Sequence, residues 1–207
     1  MTPEAKARQL IDQKLLEAGW LIQDMNQLNL GAASGVAVRE YPTDTGQADY
    51  VLFVNRNPVG VIEAKRDTEG ENLTETQTER YAKAALKWRK DNKPLSFLFE
   101  ATGQIIRFTD GRDPAPRSRE IFHFFKPDTL AEWLAQDTTL RRRLKEKMPV
   151  LPTQNLRDCQ IKAVTGLESS LAGNKPLALV HMATGAGKTF TAIQAIASKT
   201  RLRKANS

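Results

Sequence analysis

Two extended apolar runs, Ala48 to Asn55 and Val59 to Ala64, stand back to back around an Asn57-Pro58 break. Rich in β-branched and aromatic residues and divided by turn formers, they predict a hairpin inside a sheet, which excludes an all-helical fold. A third such run, Val36 to Tyr41, precedes them. Ahead of it, Thr2 is a candidate N-cap and Pro3 suits a first helical turn. Ala7, Ile11, Leu15 and Ala18 form one stripe, and Gly19 can end the helix, which is expected to pack against the sheet. After the hairpin the pattern predicts a helix from about Leu73 to Lys90, then strands Ser96 to Ala101 and Ile105 to Thr109 joined at Thr102-Gly103. The fold class is α/β, a mixed central sheet flanked by helices.

Asp110 to Glu120, with two prolines and many charges, reads as a surface loop before the aromatic stretch Ile121 to Phe125. Helices near Thr129 to Gln136 and Leu140 to Lys147 follow. The charges Arg141, Arg142, Arg143, Lys145 and Lys147 suit either DNA phosphates or a solvated face. Met148 to Asn155 has two prolines and no periodicity, the mark of a linker. Beyond it Leu156 to Leu171 reads as a helix, Leu177 to Met182 as a buried strand, and Lys188 to Ile196 as a helix after a glycine turn.

At 207 residues the chain holds one ordinary domain and part of a second. No apolar run reaches a bilayer span and the start lacks a secretory pattern. The single Cys159 excludes an internal disulfide framework, so the cytoplasm is the expected compartment. A net charge of +7 and a pI near 9.6 favour a polyanionic partner.

Candidate chemistry starts with Asp49, Glu63 and Lys65. Alternation along a strand turns Glu63 and Lys65 to one face, and a hairpin brings Asp49 within reach of it. Two converging carboxylates make an oxygen-rich site of the kind Mg²⁺ prefers. Phosphodiester hydrolysis needs such an ion to polarise the phosphoryl oxygen and acidify the attacking water, while a lysine orients that water and offsets developing negative charge. The bland alternative is an exposed ion pair at a strand end. Glu40, on the preceding strand, is either a further acid or a surface position.

Asp49 in Gln47-Ala48-Asp49-Tyr50-Val51-Leu52, with Glu63-Ala64-Lys65 fourteen positions on, resembles the PD-(D/E)xK nuclease superfamily, without the proline that names the motif. Gln77 and Tyr81, four apart and so on one helix face, resemble the QxxxY motif of its RecB-like branch. That resemblance implies auxiliary roles for both near the active site.

The second unit carries Ala183-Thr184-Gly185-Ala186-Gly187-Lys188-Thr189 between the expected strand and helix, a Walker A sequence. Its glycines let backbone N–H groups face a phosphate, Lys188 reaches the β and γ phosphates, and Thr189 can hold Mg²⁺. Upstream, Leu156-Arg157-Asp158-Cys159-Gln160 resembles the Q motif of superfamily 2 helicases, where Gln160 would read adenine. No Walker B acid, arginine finger or second lobe follows, so ATP hydrolysis is not expected of this chain.

A nuclease of this branch ahead of a Q motif and Walker A resembles the restriction (motor) subunit of type I restriction-modification enzymes. The resemblance implies an endonuclease domain over 1–148, a linker over 149–155, and over 156–207 an incomplete RecA-like motor segment. It implies Mg²⁺-dependent cleavage of double-stranded DNA, ATP with Mg²⁺ in the full-length protein, and methyltransferase and specificity subunits as partners. Two other readings stay open: a free-standing RecB-like nuclease of a repair or phage system, and a non-catalytic DNA-binding or assembly module.

Overall fold

Ala7, Ile11 and Leu15 recur every four residues along helix α1 (Pro3–Glu17), and all three are buried. Gly19 ends the helix at φ +87°, a left-handed conformation that L side chains rarely adopt, while the Trp20 N–H donates to the Leu15 carbonyl at 3.0 Å. The computed structural model that shows this describes residues 3–44, 46–65, 94–173, 175 and 177–204. The chain divides into two units, Met1–Arg112 with Pro116–Asp137, and Asp113–Ala115 with Thr138–Ser207.

In the first unit seven strands form one mixed sheet in sequential order: β1 (Leu21–Asp24), β2 (Gly35–Thr43), β3 (Gly46–Val54), β4 (Asn57–Ala64), β5 (Phe97–Ala101), β6 (Ile106–Asp110) and β7 (Arg119–Ile121). Pairing is parallel for β1 with β2 and for β4 with β5, and antiparallel elsewhere. The three central runs and the pair after them thus form the strands their composition predicts. The expected helix over Leu73 to Lys90 lies outside the described residues.

Three local readings change. The β3–β4 turn is Asn55-Arg56, both at positive φ (48° and 68°), and not Asn57-Pro58. A two-residue loop with both φ positive follows the right-handed twist of the strands, and Pro58 is accommodated inside β4, where the register with β3 shifts between Leu52 and Phe53. Arg119 to Ile121, inside and just beyond the stretch expected to be loop, pairs with β6 as β7. β1 was not anticipated either. Both edge strands are short and only partly covered, so backbone pairing places them without an apolar signature.

The sheet buries both faces. On one, Ile11 and Leu15 of α1, Tyr50 and Leu52 of β3, Ile62 of β4, Phe97 and Phe99 of β5, and Leu130 of helix α2 (Pro127–Ala135) form the larger core. Each such side chain contributes roughly 1.5–3 kcal/mol of burial. Val36, Val38, Val51, Phe53, Val61 and Leu98 line the other face.

The second unit holds helices α3 (Leu140–Glu146), α4 (Asp158–Ala172) and α5 (Lys188–Lys204), with a small core of Leu151, Val164 and Ala195. The basic run on α3 is not uniformly solvated: Arg143 is buried and Arg141 pairs with Asp113 at 3.3 Å. Leu177 to Met182, expected as a buried strand, is neither. It has no regular structure, and Leu177 and Leu179 are 86% and 93% exposed. Its apolar residues have no ladder to join, since none of the described strands belongs to the second unit.

Candidate active site and phosphate loop

Antiparallel pairing sets Tyr50 against Ile62, and one more step along the same register brings Asp49 level with Glu63. The Asp49 carboxylate is fixed at both oxygens: Oδ2 accepts from the Ala64 N–H at 2.9 Å, and Oδ1 from Arg8 Nη2 at 2.6 Å. Lys65 Nζ donates to Glu63 Oε1 at 3.4 Å, and the Lys65 N–H donates to the Ala101 carbonyl at 2.7 Å, which ties the residue to β5. The three residues singled out by spacing therefore meet at one end of β3 and β4.

Parallel pairing of β4 with β5 also sets Glu63 beside Glu100, which is 4% exposed. Burial raises the Glu63 carboxyl above the ordinary carboxylate range, the Asp49 charge raises it further, and Lys65 only partly opposes them. Glu63 Oε2 is buried without a hydrogen-bond partner among the described residues. A buried carboxylate oxygen left unmatched, beside two more acids, is a place where a cation lowers the energy. Among the described residues no three Asp, Glu, His or Cys side chains are gathered as a complete ligand set. Mg²⁺ does not require one, because it is held by one or two carboxylates and keeps several waters. The oxygens of Asp49 and Glu63 fit such an ion.

Two participants escape sequence reasoning. Glu100 ends the apolar strand Phe97-Leu98-Phe99, and an acid in register with Leu98 on a buried face was the available signal. Arg8 sits on α1 and looks like an ordinary surface arginine. It bridges Asp49 to Glu40, donating to Glu40 Oε1 at 2.9 Å. Glu40 is exposed, as the surface reading has it, yet its backbone lies at φ +48°, between the paired positions Arg39–Tyr50 and Tyr41–Ala48. Gln77 and Tyr81 lie outside the described residues.

In the second unit Gly185 and Gly187 lie at φ +78° and +80°, and α5 starts directly at Lys188 and Thr189. Both glycines adopt backbone that other residues avoid, as a loop presenting N–H groups to an anion requires. Gln160 is 4% exposed, and its side chain is committed to backbone: Oε1 accepts from the Arg157 N–H at 3.0 Å and Nε2 donates to the Ala186 carbonyl at 3.0 Å. Arg157 Nη1 adds a bond to the Gly185 carbonyl at 3.2 Å. Arg157 and Gln160 thus brace the glycine loop in this conformation. Lys188 and Thr189 are exposed.

Residues 31–98 match the family described as the second domain of the type I restriction enzyme EcoKI endonuclease subunit, and residues 153–206 that described as type III restriction enzyme, res subunit. The chain is 28% identical to the type I restriction enzyme EcoKI endonuclease subunit of Escherichia coli (strain K12), over 92% of this chain and 21% of that protein. A solved fragment of a type I restriction enzyme HsdR subunit from Vibrio vulnificus YJ016 aligns with a TM-score of 0.48 and 22% identity, covering 98% of this chain and 39% of that one. The two family matches fall on the acid-bearing strands and on the phosphate loop, and the chain spans about a fifth of the length of its curated relative. By these matches the chain is similar to part of the endonuclease subunit of type I restriction enzymes.

Proposed function

We propose that the first unit is a PD-(D/E)xK nuclease core that cleaves double-stranded DNA endonucleolytically with Mg²⁺, as the cutting part of a type I restriction enzyme. The observation that supports this most is the meeting of Asp49, Glu63 and Lys65, with the Glu63 Oε2 atom buried and unmatched. Asp49 and Glu63 would hold the ion, which when bound supplies a Lewis acid at the phosphoryl oxygen and a water of lowered pKa. Lys65, hydrogen-bonded to Glu63, would orient the attacking water and offset negative charge gathering on the phosphoryl oxygens. The Ala64 N–H, donating to Asp49 Oδ2, fixes the carboxylate that would hold the ion. Gln77 and Tyr81 are assigned auxiliary contacts with DNA or with the catalytic groups.

The same proposal takes residues 1–148 as the endonuclease domain, 149–155 as the linker and 156–207 as the opening of a superfamily 2 motor domain, an incomplete RecA-like segment. In it Gln160, Gly185, Gly187, Lys188 and Thr189 bind ATP with Mg²⁺ in the longer protein. Methyltransferase and specificity subunits would supply site recognition, and the cytoplasm is the place of action.

Nicking of supercoiled plasmid by this chain with Mg²⁺ tests the reading, with Asp49→Ala and Lys65→Ala alongside and neither ATP nor partners added. Loss of nicking in both variants supports the site. Cutting that persists in both, here or in the reconstituted complex, overturns it.

A further inference from the structure

Each Asp49 oxygen already accepts one hydrogen bond. The Ala64 N–H takes Oδ2, a backbone bond built into β4, and Arg8 takes Oδ1 at 2.6 Å. A cation bound at Asp49 and Glu63 therefore shares the Asp49 carboxylate with the guanidinium on Oδ1, and two positive charges on one carboxylate compete for it. Arg8 has a second place to go, since Nη1 already rests on Glu40 Oε1 at 2.9 Å. Glu40 stands between the ladder pairs Arg39–Tyr50 and Tyr41–Ala48, in a backbone conformation that costs a non-glycine residue energy.

The helix that carries Arg8 is itself pinned. One turn on, Asp12 accepts from Arg39 Nη2 at 2.7 Å and from the Tyr50 hydroxyl at 2.8 Å, which locks α1 to β2 and β3. The Tyr50 hydroxyl also lies 3.4 Å from the Arg8 carbonyl. Ile11 and Leu15 of the same turns are buried in the core. Arg8 is thus aimed at Asp49 by a rigid mount, while its own side chain is 43% exposed and able to move.

Resting on the proposed cation site, we infer that Arg8 is a positioning residue that competes with the divalent ion for Asp49. It neutralises and orients the carboxylate while no ion is there, and it shifts wholly to Glu40 when one binds. The strained Glu40 is the receiving side of this exchange. Divalent-ion affinity is thereby set below what two carboxylates would otherwise give.

Mn²⁺ binding to the whole chain, followed by electron paramagnetic resonance of the free ion, tests this without reference to cutting. Arg8→Gln is expected to bind Mn²⁺ about tenfold more tightly than the parent, the size of losing one charge-assisted competitor. Arg8→Lys, which keeps the charge but loses the two-pronged bridge, is expected to fall between them. Glu63→Gln in the parent should abolish the tight site. Equal or weaker binding by Arg8→Gln overturns the competition while leaving the cation site standing, provided Glu63→Gln still abolishes binding. Tightening by Arg8→Gln with Arg8→Lys unchanged also overturns it, because a long-range field would then suffice. If Glu63→Gln leaves Mn²⁺ binding untouched, the cation site falls and the inference falls with it.

Discussion

The acidic cluster of the first unit and the phosphate loop of the second differ in what holds them. Asp49, Glu63 and Glu100 sit on adjacent strands whose ladder bonds fix their spacing, with an apolar core behind them. The phosphate loop joins an exposed, unpaired apolar segment to a helix, and side chains of Arg157 and Gln160 brace its carbonyls. Chemistry that depends on two charges at a set distance is carried by sheet geometry. Anion binding by backbone N–H groups needs only local dihedral angles and a helix start.

Core truncations offer the largest effects for sharpening that contrast. Phe99 is buried among Phe108, Phe124 and Phe125, and Phe99→Ala is expected to cost about 3–5 kcal/mol in urea unfolding. Val164→Ala, in the three-residue core of the second unit, is expected to cost about 1.5 kcal/mol from two lost methyl equivalents. Similar losses in the two variants would show that the units do not differ in packing as described.

Next in size is the separation of functions. Asp49→Ala and Lys65→Ala should each lower Mg²⁺-dependent nicking by on the order of 10²–10³-fold, while Lys188→Ala leaves it unchanged. A fall in nicking with Lys188→Ala would join the two regions into one functional unit.

A smaller effect is expected at the loop itself. A side chain at Gly187 meets the Gln160 amide as well as a left-handed backbone, so Gly187→Ala should cost roughly 1–2 kcal/mol of local strain. In a fluorescent ATP-analogue titration this should appear as about a tenfold loss of affinity. Unchanged affinity would mean that the loop binds in a different conformation.

The smallest effect is one of pH. The folded chain holds the Glu63 proton more tightly than the unfolded chain, so this group's contribution is favourable in acid and is lost as pH climbs from the ordinary carboxylate range through its raised value. Glu63→Gln should therefore raise the urea midpoint at neutral pH without divalent ions, and the gain should vanish in acid. A variant less stable than the parent at neutral pH would contradict the unfavourable burial of this carboxylate.

Much of this was legible in residue order. Period-four apolar spacing announced α1, β-branched runs announced β2 through β6, and Asp49, Glu63, Lys65 and the glycine loop stood out by spacing because strand alternation and turn dihedrals are local properties. The sequence reading missed what depends on partners. β1 and β7 take their conformation from a neighbouring strand, Leu177 to Met182 lacks one, and the hairpin turn moved to Asn55-Arg56 where strand twist required it. Arg8 and Glu100 lie 41 and 51 positions from Asp49, and only the packing of α1 and the parallel β4–β5 pairing bring them to the carboxylates. Sequence alone thus determined which residues are candidates for the chemistry and the local geometry that presents them. Tertiary structure decided which charges surround them, since electrostatic partners are chosen by distance in space and not along the chain.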